Sequence, residues 1–207
     1  MVRALTNAVV EDRTAAPGPP PRTLLAGVVC GVLLKLAMKA LVLPALGFPP
    51  TNTAYAFLAG NSRALPGMLL TVIVGAGIGE EILCRGFPFE RLGTWLQASR
   101  GSKLLVLVLS SILFGLAHLG DQGIPGAVQA VMTGLRFGAL YLLSGDLALP
   151  MVTHAAFDVT AVILIYKGWS PRPTRSRDPT CETQRSRVHF ARSRARPREK
   201  TSGLAPL

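Results

Sequence analysis

Long apolar runs, broken at wide intervals by Gly, Pro and charged residues, set the pattern of this chain. The runs cover residues 24–46, 65–84, 104–119, 124–143 and 147–166. None alternates strictly with a period of two, which argues against strands. A helix rises 1.5 Å per residue, so about 20 apolar residues carry it across the ~30 Å hydrocarbon layer. Lipid admits only helices or closed barrels, because every backbone polar group must be bonded within the protein. The pattern therefore predicts an all-α, polytopic transmembrane helical bundle of about five spans, the third short at its polar end. Residues 1–22 form a Pro-rich leader, expected to be flexible. Residues 23–166 form the membrane-embedded domain.

Composition supports this picture. Hydrophobic residues make up 49% of the chain, charged residues 16%, and mean hydropathy is +0.40; an average soluble domain carries about 25% charged residues. The formal charge of +11 over 207 residues would suggest nucleic acid if it were spread over the fold. It is not. Residues 167–207 hold 11 of the 22 Lys and Arg but only 3 of the 11 Asp and Glu. The basicity belongs to a tail without apolar periodicity, expected to be disordered, and no nucleic-acid partner is expected. Electrostatic adhesion to anionic lipid or nucleic acid is the sharper reading of such a tail.

Arg91, Arg100 and Lys103 lie between the second and third runs. By the positive-inside rule they place that loop, and with it the N-terminus, on the cytoplasmic side of a multi-pass cell-membrane protein. An odd number of spans then puts the basic tail outside, against the same rule. Cys30, Cys84 and Cys181 have no CxxC spacing. The first two lie in apolar runs and read as small buried hydrophobes. In the fourth run, Gly126, Ala130, Gly134 and Gly138 recur every four residues and offer a flat face for helix packing. Arg136 near its middle needs a partner or water, since a bare charge at mid-bilayer costs roughly 2.5–3.5 kcal/mol.

Few ionisable residues remain at membrane depth, and such residues are functional candidates by default. Lys35 and Lys39, one turn apart in the first run, can snorkel or line an interface. Glu81 and Arg85 are spaced i, i+4 with the acid first, the favourable order for an ion pair. Glu80 is turned about 100° away from Glu81 on a regular helix. It points elsewhere and is the freer base. Gly86 and Pro88 predict a bend just past Arg85. His118 closes the third run, one turn after Phe114. His154 and Asp158 form a second i, i+4 pair, in which the aspartate can orient the imidazole, share a metal with it or neutralise it. Three spans thus each deliver a group of acid, base or ligand type. HExxH and GxSxG are both absent. A carboxylate and two histidines would activate water, alone or through a metal.

In order along the chain, Glu80-Glu81-xxx-Arg85, Phe114-xxx-His118 and His154-xxx-Asp158 resemble the three motifs of the CPBP family, the CAAX proteases and bacteriocin-processing enzymes also called Abi. The run Gly134-Leu-Arg-Phe-Gly138 … Ser144-Gly145-Asp146-Leu147 … Pro150-Met-Val-Thr-His154 resembles the stretch before that family's last histidine. The likeness covers about Gly75 to Ile165. It implies an intramembrane endopeptidase acting on a peptide or protein substrate, prenylated C-termini included. By carry-over, Glu80 and His118 would activate water, and His154 with Asp158 would stabilise the oxyanion. Glu81, Arg85 and Phe114 would support the site. The resemblance leaves a metalloprotease and a metal-free glutamate protease both open; a divalent metal such as zinc would be held by Glu80, His118, His154 and Asp158.

Two departures stand out. Asp158 occupies a position that is usually asparagine, and an ionised aspartate would repel an oxyanion. The chain also has fewer spans upstream of the first motif than larger relatives, a gap that dimerisation or a partner would fill. Both motivate an alternative: a non-catalytic membrane scaffold or bacteriocin-immunity-type protein of the same fold. A proton-coupled transporter ranks last, because no inverted repeat or paired broken helices are visible.

Overall fold

The computed structural model describes residues 20–49, 53–96 and 99–169, the side chains of residues 93 and 94 excepted. Most of the leader, Cys181 and the basic tail lie outside the described residues. Four helices are long and apolar enough to cross a membrane: α1 (Pro21–Ala45), α2 (Leu65–Leu92), α3 (Arg100–Ser144) and α4 (Ala148–Tyr166). A 3₁₀ segment, Thr53–Leu58, lies between α1 and α2. The described residues contain no strand.

The difference between four helices and five expected spans resolves inside α3. Its 45 residues would reach ~67 Å if straight, about twice the hydrocarbon thickness. The helix is interrupted at Gly123 (φ 65°, ψ −169°), just ahead of Pro125. A side chain added at Gly115 would meet Val131, one at Gly134 would meet Ser111, and one at Gly138 would meet Leu107. The sums of these residue numbers are nearly constant, so residues 100–122 and 124–144 pack back on each other as an antiparallel hairpin. Spans three and four are two legs of one interrupted helix.

Parity agrees throughout. Gly27 packs on Val152 and Gly31 on Ala156, so α1 and α4, first and fifth in the series, run in parallel. Gly77 packs on Ala155, and the Gly60 amide donates to the Tyr166 carbonyl at 3.0 Å. α2 therefore runs antiparallel to α4.

Gly123 occupies a backbone region that is essentially closed to residues with a side chain, and such strain costs of order 1–3 kcal/mol. Gly123→Ala is accordingly expected to lower the thermal unfolding midpoint in detergent by that order, without moving the active-site side chains. An unchanged midpoint would show that the hairpin tolerates another turn.

The outer faces carry large apolar residues facing away from the bundle; Leu25 is 66% exposed, Leu83 69% and Leu113 66%. In water this would be an aggregating surface; in a bilayer it is the lipid contact. Cys30 lies on this exposed side and Cys84 is half-buried, which corrects the expectation that both are core residues. Arg136 is also on an exposed face and forms no ion pair with a described residue.

Inside, Leu34, Met38, Phe137 and Phe157 form the apolar core. Small hydroxyl residues are buried there without separate partners. Ser111 donates to the Leu107 carbonyl (2.7 Å), and Thr153 to that of Leu149 (2.8 Å), each bonding its own helix. That satisfaction within one helix lets small polar residues fill close contacts.

Candidate active site

α2 is not a regular helix where it carries the first motif. Thr71–Glu80 and Ile82–Gly86 are wound as wide π turns on either side of Glu81. Such widenings are rare and frequently occur at functional sites. The local sequence, Gly75-Ala-Gly-Ile-Gly79, has little helix propensity, and close packing of Gly77 on Ala155 brings α2 against α4 at this level. The second wide stretch contains Arg85 and ends at Gly86. The helix resumes at Phe87 with Pro88 in its first turn, where a missing amide is harmless.

Glu81 is the hub. It is fully buried, and its Oε1 accepts from Arg85 Nη1 at 2.8 Å and meets His154 Nδ1 at 2.7 Å. Arg85, equally buried, donates from Nη2 to the Gly134 carbonyl at 3.1 Å. Its guanidinium stacks over Phe114 (4.8 Å) and Phe137 (5.7 Å). The predicted pair thus forms, but it also clamps α4 through His154 and the hairpin through Gly134.

His154 has a different neighbour on each side of its ring. Nδ1 faces Glu81, while Nε2 lies 3.4 Å from Asp158 Oδ2 and 3.8 Å from Glu80 Oε2. Phe137 stacks on the imidazole at 4.6 Å, and Phe114 meets it edge-on at 5.9 Å. The ring is held in position and orientation before any substrate arrives.

His118 is fixed differently. Its Nδ1 is 2.8 Å from the Phe114 carbonyl. A carbonyl only accepts, so Nδ1 carries the proton and Nε2 is left as acceptor or ligand. The ring also meets Phe114 edge-on at 4.6 Å. Phe114 is therefore the wedge between His118, His154 and Arg85.

Glu80, His118, His154 and Asp158 all line one cavity of about 590 Å³. The Glu80 side chain is 35% exposed, yet its buried Oε2 has no hydrogen-bond partner among the described residues. The sequence-predicted residues are therefore brought together, with Glu81 and Arg85 sealed behind them. Tyr55 and Gln122 also line the cavity, on the side of the hairpin turn. There the Gln122 amide donates to the Tyr55 hydroxyl at 3.5 Å. Burial, reinforced by the carboxylates of Asp158, Asp121 and Glu80, pushes the Tyr55 phenol up, so it stays protonated at neutral pH.

No three His, Cys, Asp or Glu side chains among the described residues converge closely enough to hold a metal ion. Glu81 occupies Nδ1 of His154, and His118 is anchored one turn from its own helix end.

Residues 62–160 match the family model for type II CAAX prenyl endopeptidase, Rce1-like. The match covers just under half of the chain, all of it within the membrane-embedded core. It spans α2, the α3 hairpin and most of α4, and so contains Glu80, Glu81, Arg85, Phe114, His118, His154 and Asp158 but not Tyr55. Neither a curated protein nor a solved structure matches the chain. This Rce1-like match supports, at the family level, an intramembrane protease acting on a peptide or protein, in a multi-pass membrane setting.

Two residues of this Rce1-like site escaped the motif reading. Phe137, which stacks on His154, was marked only by its place between Gly134 and Gly138. Lys35 was visible as a charge at depth, but nothing in the sequence tied it to the cavity.

Proposed function

We propose that the chain is an intramembrane endopeptidase of CAAX-prenyl-protease type, in which Glu80 is the general base. The observation that carries this is the division between the two adjacent glutamates. Glu81 is fully buried with its Oε1 taken by Arg85 and His154, whereas Glu80 lines the cavity and its Oε2 makes no hydrogen bond among the described residues.

A water between Glu80 and Nε2 of His118 loses its proton to Glu80 as its oxygen attacks the scissile carbonyl carbon. In its doubly protonated form, His154 donates from Nε2 to the developing oxyanion while Nδ1 stays on Glu81. Glu80 then returns the proton to the leaving nitrogen as the C–N bond breaks. Arg85 and Glu81 position His154. A fluorogenic peptide with a prenylated cysteine followed by three residues tests the reading directly. Specific cleavage by the purified chain supports it; absence of cleavage in lipid and detergent alike favours the scaffold alternative.

Asp158 provides a sharper test. Glu81 and Phe137 already orient His154, so the Asp158 carboxylate is not needed as a charge. Asp158→Asn keeps a polar group near Nε2 and offers the oxyanion a donor. That variant is expected to retain most of the activity. Asp158→Ala removes the contact and is expected to lower kcat at least about tenfold. A greater loss in the asparagine variant than in the alanine variant would mean that the negative charge itself is required.

A further inference from the structure

One cation of the cavity plays no part in the mechanism above. Lys35, on α1, lines the cavity together with Lys39 one turn on. It lies upstream of the region matched to the family, 62–160. Its ammonium rests over the Phe157 ring at 4.5 Å and forms no ion pair with a described residue. Asp158 is close enough to act on it electrostatically, but not to neutralise it by contact. A partly buried ammonium facing a mostly apolar cavity is expensive unless an anion meets it there.

We propose that Lys35, supported by Lys39, is the subsite that binds the substrate's free C-terminal carboxylate; this rests on the endopeptidase reading above. The geometry also sets where the bond is cut. α1 and α4 run side by side in the same direction, with Gly27 on Val152, Gly31 on Ala156 and Lys35 on Phe157. From the level of His154 to that of Phe157 is about 4.5 Å of helix, and Lys39 lies about 6 Å further along. An extended peptide covers roughly 3.3–3.6 Å per residue. A carboxylate seated on these lysines therefore places the bond about one to three residues upstream opposite Glu80 and His154. Glu80 and His154 at one end would act on the scissile bond while the lysines at the other hold the terminus. The enzyme would release short C-terminal fragments and pass over internal bonds.

The test compares one prenylated fluorogenic peptide as free acid and as C-terminal carboxamide. The full chain is used as wild type, Lys35→Met, Lys35→Gln and Lys35→Arg. The wild type is expected to favour the acid at least tenfold in kcat/KM. Either neutral variant should bring the two peptides within about twofold by losing turnover of the acid alone, and Lys35→Arg should keep most of the preference. Binding of both peptides to Glu80→Gln protein, with and without Lys35→Met, reads the same subsite without turnover. If no protein cleaves but the acid still binds more tightly through Lys35, the peptidase reading falls and the subsite stands. Equal handling of acid and amide by the wild type overturns the subsite, as does a preference that survives in both neutral variants. An equal loss on both peptides would overturn it too, by assigning the ammonium to Asp158 and not to substrate.

Discussion

Glu80→Gln is expected to reduce kcat by roughly 10²–10⁴-fold, the usual contribution of a positioned general base, with the fold intact. The substitution keeps the size and polarity of the side chain and removes only its capacity to take a proton. Little structure depends on that capacity: Glu80 is 35% exposed, and its Oε2 stands 3.8 Å from His154 Nε2. The thermal midpoint and helix content of the variant should therefore match the wild type, and KM should move far less than kcat. Glu81→Gln provides the contrast. It strikes the acceptor shared by Arg85 and His154, so stability and activity should fall together. A Glu80→Gln protein that cleaves at the wild-type rate would remove the base from the mechanism and return the site to the scaffold reading.

These expectations depend on how much of the site was legible in the chain. Spacing within one helix was enough to find Glu81–Arg85 and His154–Asp158, because i, i+4 neighbours share a face whatever surrounds them. The break between the third and fourth apolar runs was also legible, and the hairpin turns there at Gly123. Contacts between helices were not legible. Glu81 reaches His154 across 73 positions of sequence, and periodicity reports rotation about one axis but not the distance to another. The regular-helix assumption also failed locally, since Glu80 and Glu81 sit at the junction of two wide turns. It still separated the two carboxylates correctly, because adjacent residues diverge on any helix. Lys35 escaped for a related reason. A lysine in an apolar run snorkels as readily as it lines a cavity, and only the packing of α1 on α4 decides between them.

Arg85→Met is expected to cause the largest loss of stability of any single change in the core. Arg85 is the cation of a buried pair, the donor to the Gly134 carbonyl, and the platform between Phe114 and Phe137. Methionine fills much of the volume but leaves the fully buried Glu81 with His154 alone to meet its charge. Breaking a buried pair from one side typically costs about 3–5 kcal/mol. Unfolding in detergent, followed by heating or by limited proteolysis, should register that loss. The pair need not be stabilising in itself: desolvating two ions can cancel their attraction, and replacing both with apolar residues is often neutral. Glu81→Met combined with Arg85→Met is therefore expected to recover most of the stability lost in Arg85→Met alone. It should not recover activity, because His154 would have lost the acceptor on Nδ1 that fixes its ring beside Glu80. A stable double variant with full activity would show that the Glu81–Arg85 pair serves neither the fold nor the chemistry. A stable but inactive one would locate its function in holding His154, which explains why two charges are kept where apolar side chains would fold as well.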